Sequence, residues 1–122
     1  MGFQALLEAF LSDIEGAQGA IVVAFDGEPV AQVVAKGSAV SVYDLQLLGA
    51  QMRVTLATLQ RTHQRMQCDP PLGITLRLEN RSFFVWPLID DYFVLLAVSN
   101  GFGVVGAEHK VESIAQRLLS QM

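Results

Sequence analysis

The sequence contains a single cysteine, Cys68, so no disulfide bond can form within the chain. This excludes the small disulfide-stapled class of secreted domains and fits a reducing compartment better. Charged residues are also scarce, at 16%, and acids outnumber bases to give a net charge of −4. Because nucleic-acid-binding domains usually carry the opposite balance of charge, we expect no nucleic-acid partner.

The sequence also lacks long apolar runs. No uninterrupted stretch approaches the ~20 apolar residues of a membrane-spanning helix. Near the start, Glu8, Asp13 and Glu15 interrupt the apolar residues, and no basic segment precedes them, so this region does not resemble a signal peptide. We therefore expect no membrane span and a cytoplasmic location.

Apolar residues are abundant, at 52% of a chain of 122 residues. This length suits one domain, and a chain of this size can bury about two-thirds of the surface that it exposes when unfolded. We expect a single domain over residues 1–122, with part of its apolar surface buried against a partner.

The spacing of apolar residues predicts an α+β fold with the element order α-β-β-α-β-β-β-α. Steps of three and four residues predict helices over 3–15, over 42–67 and after a glycine-rich loop at 100–106. Ser41 and Asp44 resemble a capping box at the start of the long helix, with Asp in place of the usual Glu. The predicted strands cover 21–25, 30–35, 72–79, 83–86 and 92–98. Because the strands come in hairpins, we expect a five-stranded antiparallel sheet with helices on both faces.

Two strands are expected at the edges of this sheet. Asp26-Gly27 is a strong hairpin signal, and Pro29 just after it lacks an N–H and therefore favours an edge strand. The strand over 72–79 should form the opposite edge, where Arg77 is the one obvious charge against strand pairing. Such an edge favours pairing with a second chain across a two-fold axis.

The long second helix has apolar residues on more than one stripe, which is typical of a helix that packs against another helix. Together with the strand over 72–79, it predicts a dimer interface. The predicted interface residues are Leu48, Met52, Leu56, Leu59, His63, Ile74, Leu76 and Leu78. The alternative is that both stripes are buried within the single chain.

The same helix has three basic residues and no acid between positions 45 and 67. Arg53, Arg61 and Arg65 are spaced by multiples of four, which predicts a basic stripe on one face of the helix. Such a stripe could receive an acidic partner and steer its association. The alternative is a solvated face, with Arg61 and Arg65 favourably placed at the negative end of the helix dipole.

Other residue groups do not predict chemistry, so we expect no catalytic residue, no cofactor and no metal ligand. The segment 101–106 matches G-x-G-x-x-G, but the single helix that follows leaves no parallel strand to complete a nucleotide-binding unit. Asp90 and Asp91 are adjacent and fit a turn. Cys68 has no partner base supplied by its neighbours in the sequence, which a catalytic thiol would need.

The order of elements and two stretches, GAIVVAFDGEPVAQ and GITLRLENRSFFVWPLIDDYFVLLAVS, resemble the Roadblock / dynein light chain family. The resemblance covers about 3–119 and implies profilin-like layers, with two helices on one face of the sheet and one on the other. It further implies a non-catalytic homodimer, or a heterodimer with another Roadblock-like chain, formed through the second helix and the next strand. Such dimers serve as platforms for small Ras-like GTPases or signalling complexes, and similar bacterial proteins regulate a gliding and polarity GTPase.

A different class of function remains open in the sequence. A small-ligand sensor or minor enzyme on the same layers would need an interior cavity near Trp86 with convergent polar groups. The aromatic residues at strand spacing around Trp86, namely Phe83, Phe84 and Phe93, are more typical of a packed core.

Overall fold

A computed structural model of the chain describes residues 2–24, 26–69, 73–88, 92–99 and 104–120. The elements are α1 (Phe3–Asp13), β1 (Ala17–Ala24), β2 (Pro29–Val34), α2 (Val42–Met66), β3 (Ile74–Arg77), β4 (Arg81–Pro87), β5 (Tyr92–Ser99) and α3 (Val104–Ser120). The order predicted from apolar spacing is therefore confirmed.

The five strands form one antiparallel sheet in the order β2-β1-β5-β4-β3. The strands that the sequence makes apolar on both faces, β1 and β5, lie next to each other in the interior of the sheet. Ile21 of β1 lies opposite Leu95 of β5, and neither is exposed to solvent. The edges are β2, which begins with Pro29, and β3, as the sequence predicts.

Helices cover both faces of the sheet. On one face, Leu7 of α1 and Leu118 of α3 belong to the same buried cluster as Val22 and Leu96. On the other face, Leu45 and Leu56 of α2 share a second cluster with residues of β1, β4 and β5. The core is thus divided by the sheet into two layers, which confirms the expected arrangement.

The close approach of α2 to the sheet depends on two glycines. A Cβ atom on Gly49 of α2 would lie 3.0 Å from Val23 Cγ2 of β1, and one on Gly19 would lie 3.0 Å from Leu45 Cδ1. Close-packed interiors leave little room for added atoms at such distances. The absence of these side chains lets α2 pack tightly over β1, with its axis held near the β2 side of the sheet.

Several element boundaries differ from the sequence prediction. The first strand starts at Ala17 rather than residue 21, because the chain turns at Gly16 with φ 81° and Ala17 pairs with Val98 of β5. The strand predicted over 72–79 ends at Arg77, since Leu78 N donates to the Arg81 carbonyl at 2.8 Å in the turn. Residues 104–106, predicted as loop, are already helical.

The capping box predicted at the start of α2 is confirmed. Asp44 N donates to Ser41 Oγ at 3.1 Å, and Ser41 N donates to Asp44 Oδ2 at 3.0 Å. The hydrogen bond from the Ser41 backbone lowers the pKa of Asp44 below its ordinary value, and the Ser41 side chain acts in the same direction. Desolvation opposes these two effects, and the charge of Arg81 adds a further, smaller lowering. The ionised carboxylate is therefore the form that the fold favours.

We predict that Asp44→Asn lowers the melting temperature at neutral pH and that this difference shrinks in acid. The pKa of Asp44 is lower in the folded chain than in the unfolded chain. Its contribution to stability is therefore complete above the unfolded value of about 4 and is lost as the pH falls through the folded value. Thermal unfolding followed by circular dichroism at several pH values measures the difference.

The matched control for this experiment is Asp69→Asn, which removes an exposed carboxylate outside any helix. It should change the free energy of unfolding by no more than about 0.5 kcal/mol. A gap between wild type and Asp44→Asn that stays constant with pH would contradict the assignment to the carboxylate.

Candidate interaction surface on α2 and β3

The helix α2 is longer than the sheet that it covers. Its 25 residues extend about 37 Å at 1.5 Å per residue, whereas a strand of 8 residues such as β1 spans about 27 Å. Its buried residues are Leu45, Gly49 and Leu56, so no residue after position 56 of the helix is buried. The segment 57–66 has no buried side chain, although it contains the apolar residues Leu59 and Met66.

The rotation of α2 about its axis determines which of its sides faces the sheet, which faces β2 and which faces away from the sheet. Successive residues turn by about 100°, so Leu45 and Leu56 share the inner side, toward the sheet. Gln46 marks the flank over β2, because its Nε2 donates to Gln32 Oε1 at 2.9 Å. The opposite flank, with Leu48 and Leu59, is therefore turned toward the β4–β3 half of the sheet.

The flank of α2 that faces away from β2 forms a half-buried apolar surface together with β3. Leu48 and Met52 of α2, and Ile74 and Leu76 of β3, pack against the core on this face of the sheet yet stay partly exposed. We call these four side chains the α2–β3 strip. The strip includes part of β3, the last strand on this side of the sheet. A further strand and helix placed next to β3 would bury it.

A second apolar surface lies on the outer side of α2, directed away from the sheet. Tyr43, Leu47 and Val54 are 70%, 53% and 55% exposed, and Ala50 between them is also exposed. We call these four residues the outer stripe. Because monomeric soluble proteins rarely expose large contiguous apolar patches, the outer stripe is a candidate binding surface.

The three arginines of α2 do not form the single basic stripe that their spacing predicted. Arg61 and Arg65 are exposed and lie on the outer side, in line with Val54, where Arg61 Nη2 donates to Thr58 Oγ1 at 3.4 Å. Arg53 is half-buried on the flank toward β2, about 80° around the helix from Arg61. The error arises because steps of four drift by about 40° each along an α-helix.

One predicted interface residue is corrected by the structure. Leu56 is 1% exposed and belongs to the core of the single chain, so it offers no surface to a second chain. Leu59 is half-buried, and Leu78 is exposed just after β3. His63 is half-buried, and its Nδ1 lies 2.9 Å from the Cys68 carbonyl oxygen, so this ring contacts the turn that ends α2.

Of the residues considered for chemistry in the sequence, Cys68 lies within the described part of the chain and is exposed. Among the described residues, no three histidine, cysteine or acidic side chains come together to hold a metal ion. Asp90, Asp91, Gly101 and Gly103 lie outside the described residues. Among the helices described, none combines the length and apolar character needed to cross a membrane.

Trp86, the centre of the alternative ligand site, is half-buried and packs against the core on the α1–α3 face. A Cβ on Gly73 would lie 2.7 Å from Trp86 Cε3, so the ring lies directly against the backbone before β3. In this arrangement Trp86 is a packing residue at the end of the sheet near β3.

Neither a scan against protein-family models nor a search of curated proteins matches the chain. Solved structures do match. Gliding protein MglB from Thermus thermophilus has a TM-score of 0.84 at 14% identity, with 97% of this chain and 86% of that chain covered. A Roadblock/LC7 domain from Streptomyces avermitilis has a TM-score of 0.80 at 8% identity, covering 94% and 92%. Profilin II from Acanthamoeba castellanii has a TM-score of 0.61 at 15% identity, covering 98% of each chain.

These similarities define the class of fold. The chain has the Roadblock/LC7 fold, which the sequence resemblance implied, and its layers are also those of profilin. At such low identity the likeness extends to the fold alone. Proteins that share a fold can have different functions, so the function of this chain has to be inferred from the surfaces of α2 and β3.

We predict that truncation at two nearby positions of α2, Val54 and Leu56, changes the free energy of unfolding by very different amounts. Leu56→Ala should lower the free energy of unfolding by about 2–5 kcal/mol, because it leaves a cavity in the core. Val54→Ala should change it by no more than about 0.5 kcal/mol in a single chain, because Val54 is exposed. Urea unfolding at several protein concentrations makes the comparison.

The dependence of stability on protein concentration also tests whether a second chain covers the outer stripe. A loss in Val54→Ala that grows with protein concentration would mean that a second chain covers the outer stripe. Equal losses in the two variants at the lowest concentration would contradict the assignment of inner and outer sides.

Proposed function

We propose that this chain is a non-catalytic, dimeric interaction platform for a small Ras-like GTPase or a signalling complex. One observation carries the proposal: α2 is anchored by only three buried residues and leaves apolar side chains on two other sides. Apolar surface of this kind is stabilised by burial against a partner, at roughly 25 cal/mol per Å².

The α2–β3 strip supports pairing with a second copy. Because β3 is the last strand on its side and the strip lies beside it, a two-fold axis next to β3 would place strand against strand and helix against helix. The strips of the two chains would then cover each other. Isologous contacts of this kind require a self-complementary surface, and an apolar strip without opposed charges meets that requirement.

The outer stripe supports a separate partner. It is directed away from the sheet, so a contact through β3 and the flank of α2 would leave it exposed in both chains. Arg61 and Arg65 extend it with positive charge, which favours an acidic partner surface and a faster encounter. The likeness to MglB, together with the family resemblance, makes a small Ras-like GTPase the first partner to test.

We predict a molar mass in light scattering of twice the 13.3 kDa of one chain. Leu76→Lys should reduce this mass to that of one chain, because it introduces a charge into the α2–β3 strip. Val30→Lys is the matched control, since it introduces the same charge on the opposite edge strand and should leave the dimer intact. A wild-type monomer at micromolar concentration would overturn the proposed self-association.

We predict that Arg61→Glu combined with Arg65→Glu weakens capture of a small Ras-like GTPase about tenfold at low salt, which corresponds to about 1.4 kcal/mol. Pull-down with purified candidate GTPases, followed by titration, measures the effect. The control reverses two charges elsewhere, Lys36→Glu with Lys110→Glu, and should bind as the wild type does. Equal binding by both double variants would contradict a role for the outer side of α2.

A further inference from the structure

The side-chain amide of Gln4 in α1 occupies the outer edge of β2. Gln4 Nε2 donates to the Gln32 carbonyl oxygen at 2.7 Å, and Gln32 N donates to Gln4 Oε1 at 3.1 Å. In an antiparallel sheet, paired residues on adjacent strands exchange these same two hydrogen bonds. The amide of Gln4 therefore takes the place of one residue of an additional strand.

Gln32 is well placed for this role within the edge strand. It lies in the middle of β2, opposite Ile21 of β1, and β2 is the last strand on its side of the sheet. An edge strand exposes N–H and C=O groups of alternate residues, which form a template for pairing with another chain. Gln4 covers the pair at its centre.

Two further contacts hold the amide groups in place. Gln4 Nε2 also lies 3.3 Å from Glu8 Oε1, one turn along α1. On the opposite face of the sheet, the Gln32 side chain accepts a hydrogen bond from Gln46 of α2 at 2.9 Å. Three glutamines thus connect α1, the edge of β2 and α2, and their hydrogen bonds run around the edge from one face of the sheet to the other.

We propose that Gln4 is an edge blocker that closes β2 to a second copy of this chain. Without it, β2 would present an edge with apolar side chains, including Val30 at 45% exposure, that suits antiparallel pairing with another β2. A chain that paired through both edges of its sheet would form an open array rather than a closed dimer. The pairing through β3 is part of the proposed function, and this inference rests on that function there. The blocking of β2 does not depend on it.

The test is the variant Gln4→Met, measured by sedimentation velocity over a range of concentrations. Methionine has a similar length and a high helix propensity, but it can neither donate nor accept the two hydrogen bonds to Gln32. We expect new species of roughly double the wild-type mass or more, in a proportion that rises with concentration. Gln4→Ala also removes the amide, and alanine has the highest helix propensity of all residues. This variant should therefore behave in the same way as Gln4→Met.

Gln4→Glu separates blocking from loss of stability. Its carboxylate can still accept from Gln32 N–H but cannot donate to the carbonyl, and it places a charge on the edge. We expect lower stability but the wild-type mass. Adding Val30→Lys to Gln4→Met should return the mass to that of the wild type, because a lysine on an edge strand opposes pairing.

Two results would overturn the proposal. The first is a Gln4→Met chain, folded by circular dichroism, that keeps the wild-type mass at every concentration. The second is a Gln4→Glu chain that associates as strongly as Gln4→Met, since loosening of α1 would then be the cause. A wild-type monomer would overturn only the dimer of the proposed function, because the comparison of each variant with wild type still decides whether Gln4 blocks the edge.

Discussion

The contact between α2 and β1 determines which surfaces this chain presents. Gly49 brings the helix backbone so near the sheet that a Cβ there would lie 3.0 Å from Val23 Cγ2. This contact fixes the rotation of α2, and Leu45 and Leu56 enter the core as a consequence. The other sides of the helix then have to face solvent or a partner. A different rotation would expose other residues while leaving the element order unchanged.

The same constraint makes the two edges of the sheet unequal. With α2 held toward β2, Gln46 reaches the side chain of Gln32, whose backbone is covered from the other face by Gln4. Toward β3, α2 leaves Ile74 and Leu76 only half-buried. At one edge the backbone of Gln32 is thus hydrogen-bonded within the chain, and the other edge carries apolar surface. This asymmetry is consistent with the proposed pairing through β3 alone.

Function on this fold depends on surface rather than on architecture. MglB, a Roadblock/LC7 domain and profilin share the layers at identities of 14%, 8% and 15%. The same fold therefore accommodates sequences that have few residues in common, and the fold alone does not specify a function. The proposed partner binding depends on the outer stripe and its two arginines, which are separate from the residues that hold α2 on the sheet.

The sequence alone determined the order of elements, the capping box at Ser41 and Asp44, and the place of β2 at an edge through Pro29. These features follow from local patterns, because apolar spacing, helix caps and proline act over a few residues. Tertiary structure alone decided that Leu56 is buried and which stripe of α2 is exposed. It also brought Gln4 to Gln32, 28 residues along the chain. Helix rotation and contacts between distant residues depend on the packing of the whole core, which no local pattern encodes.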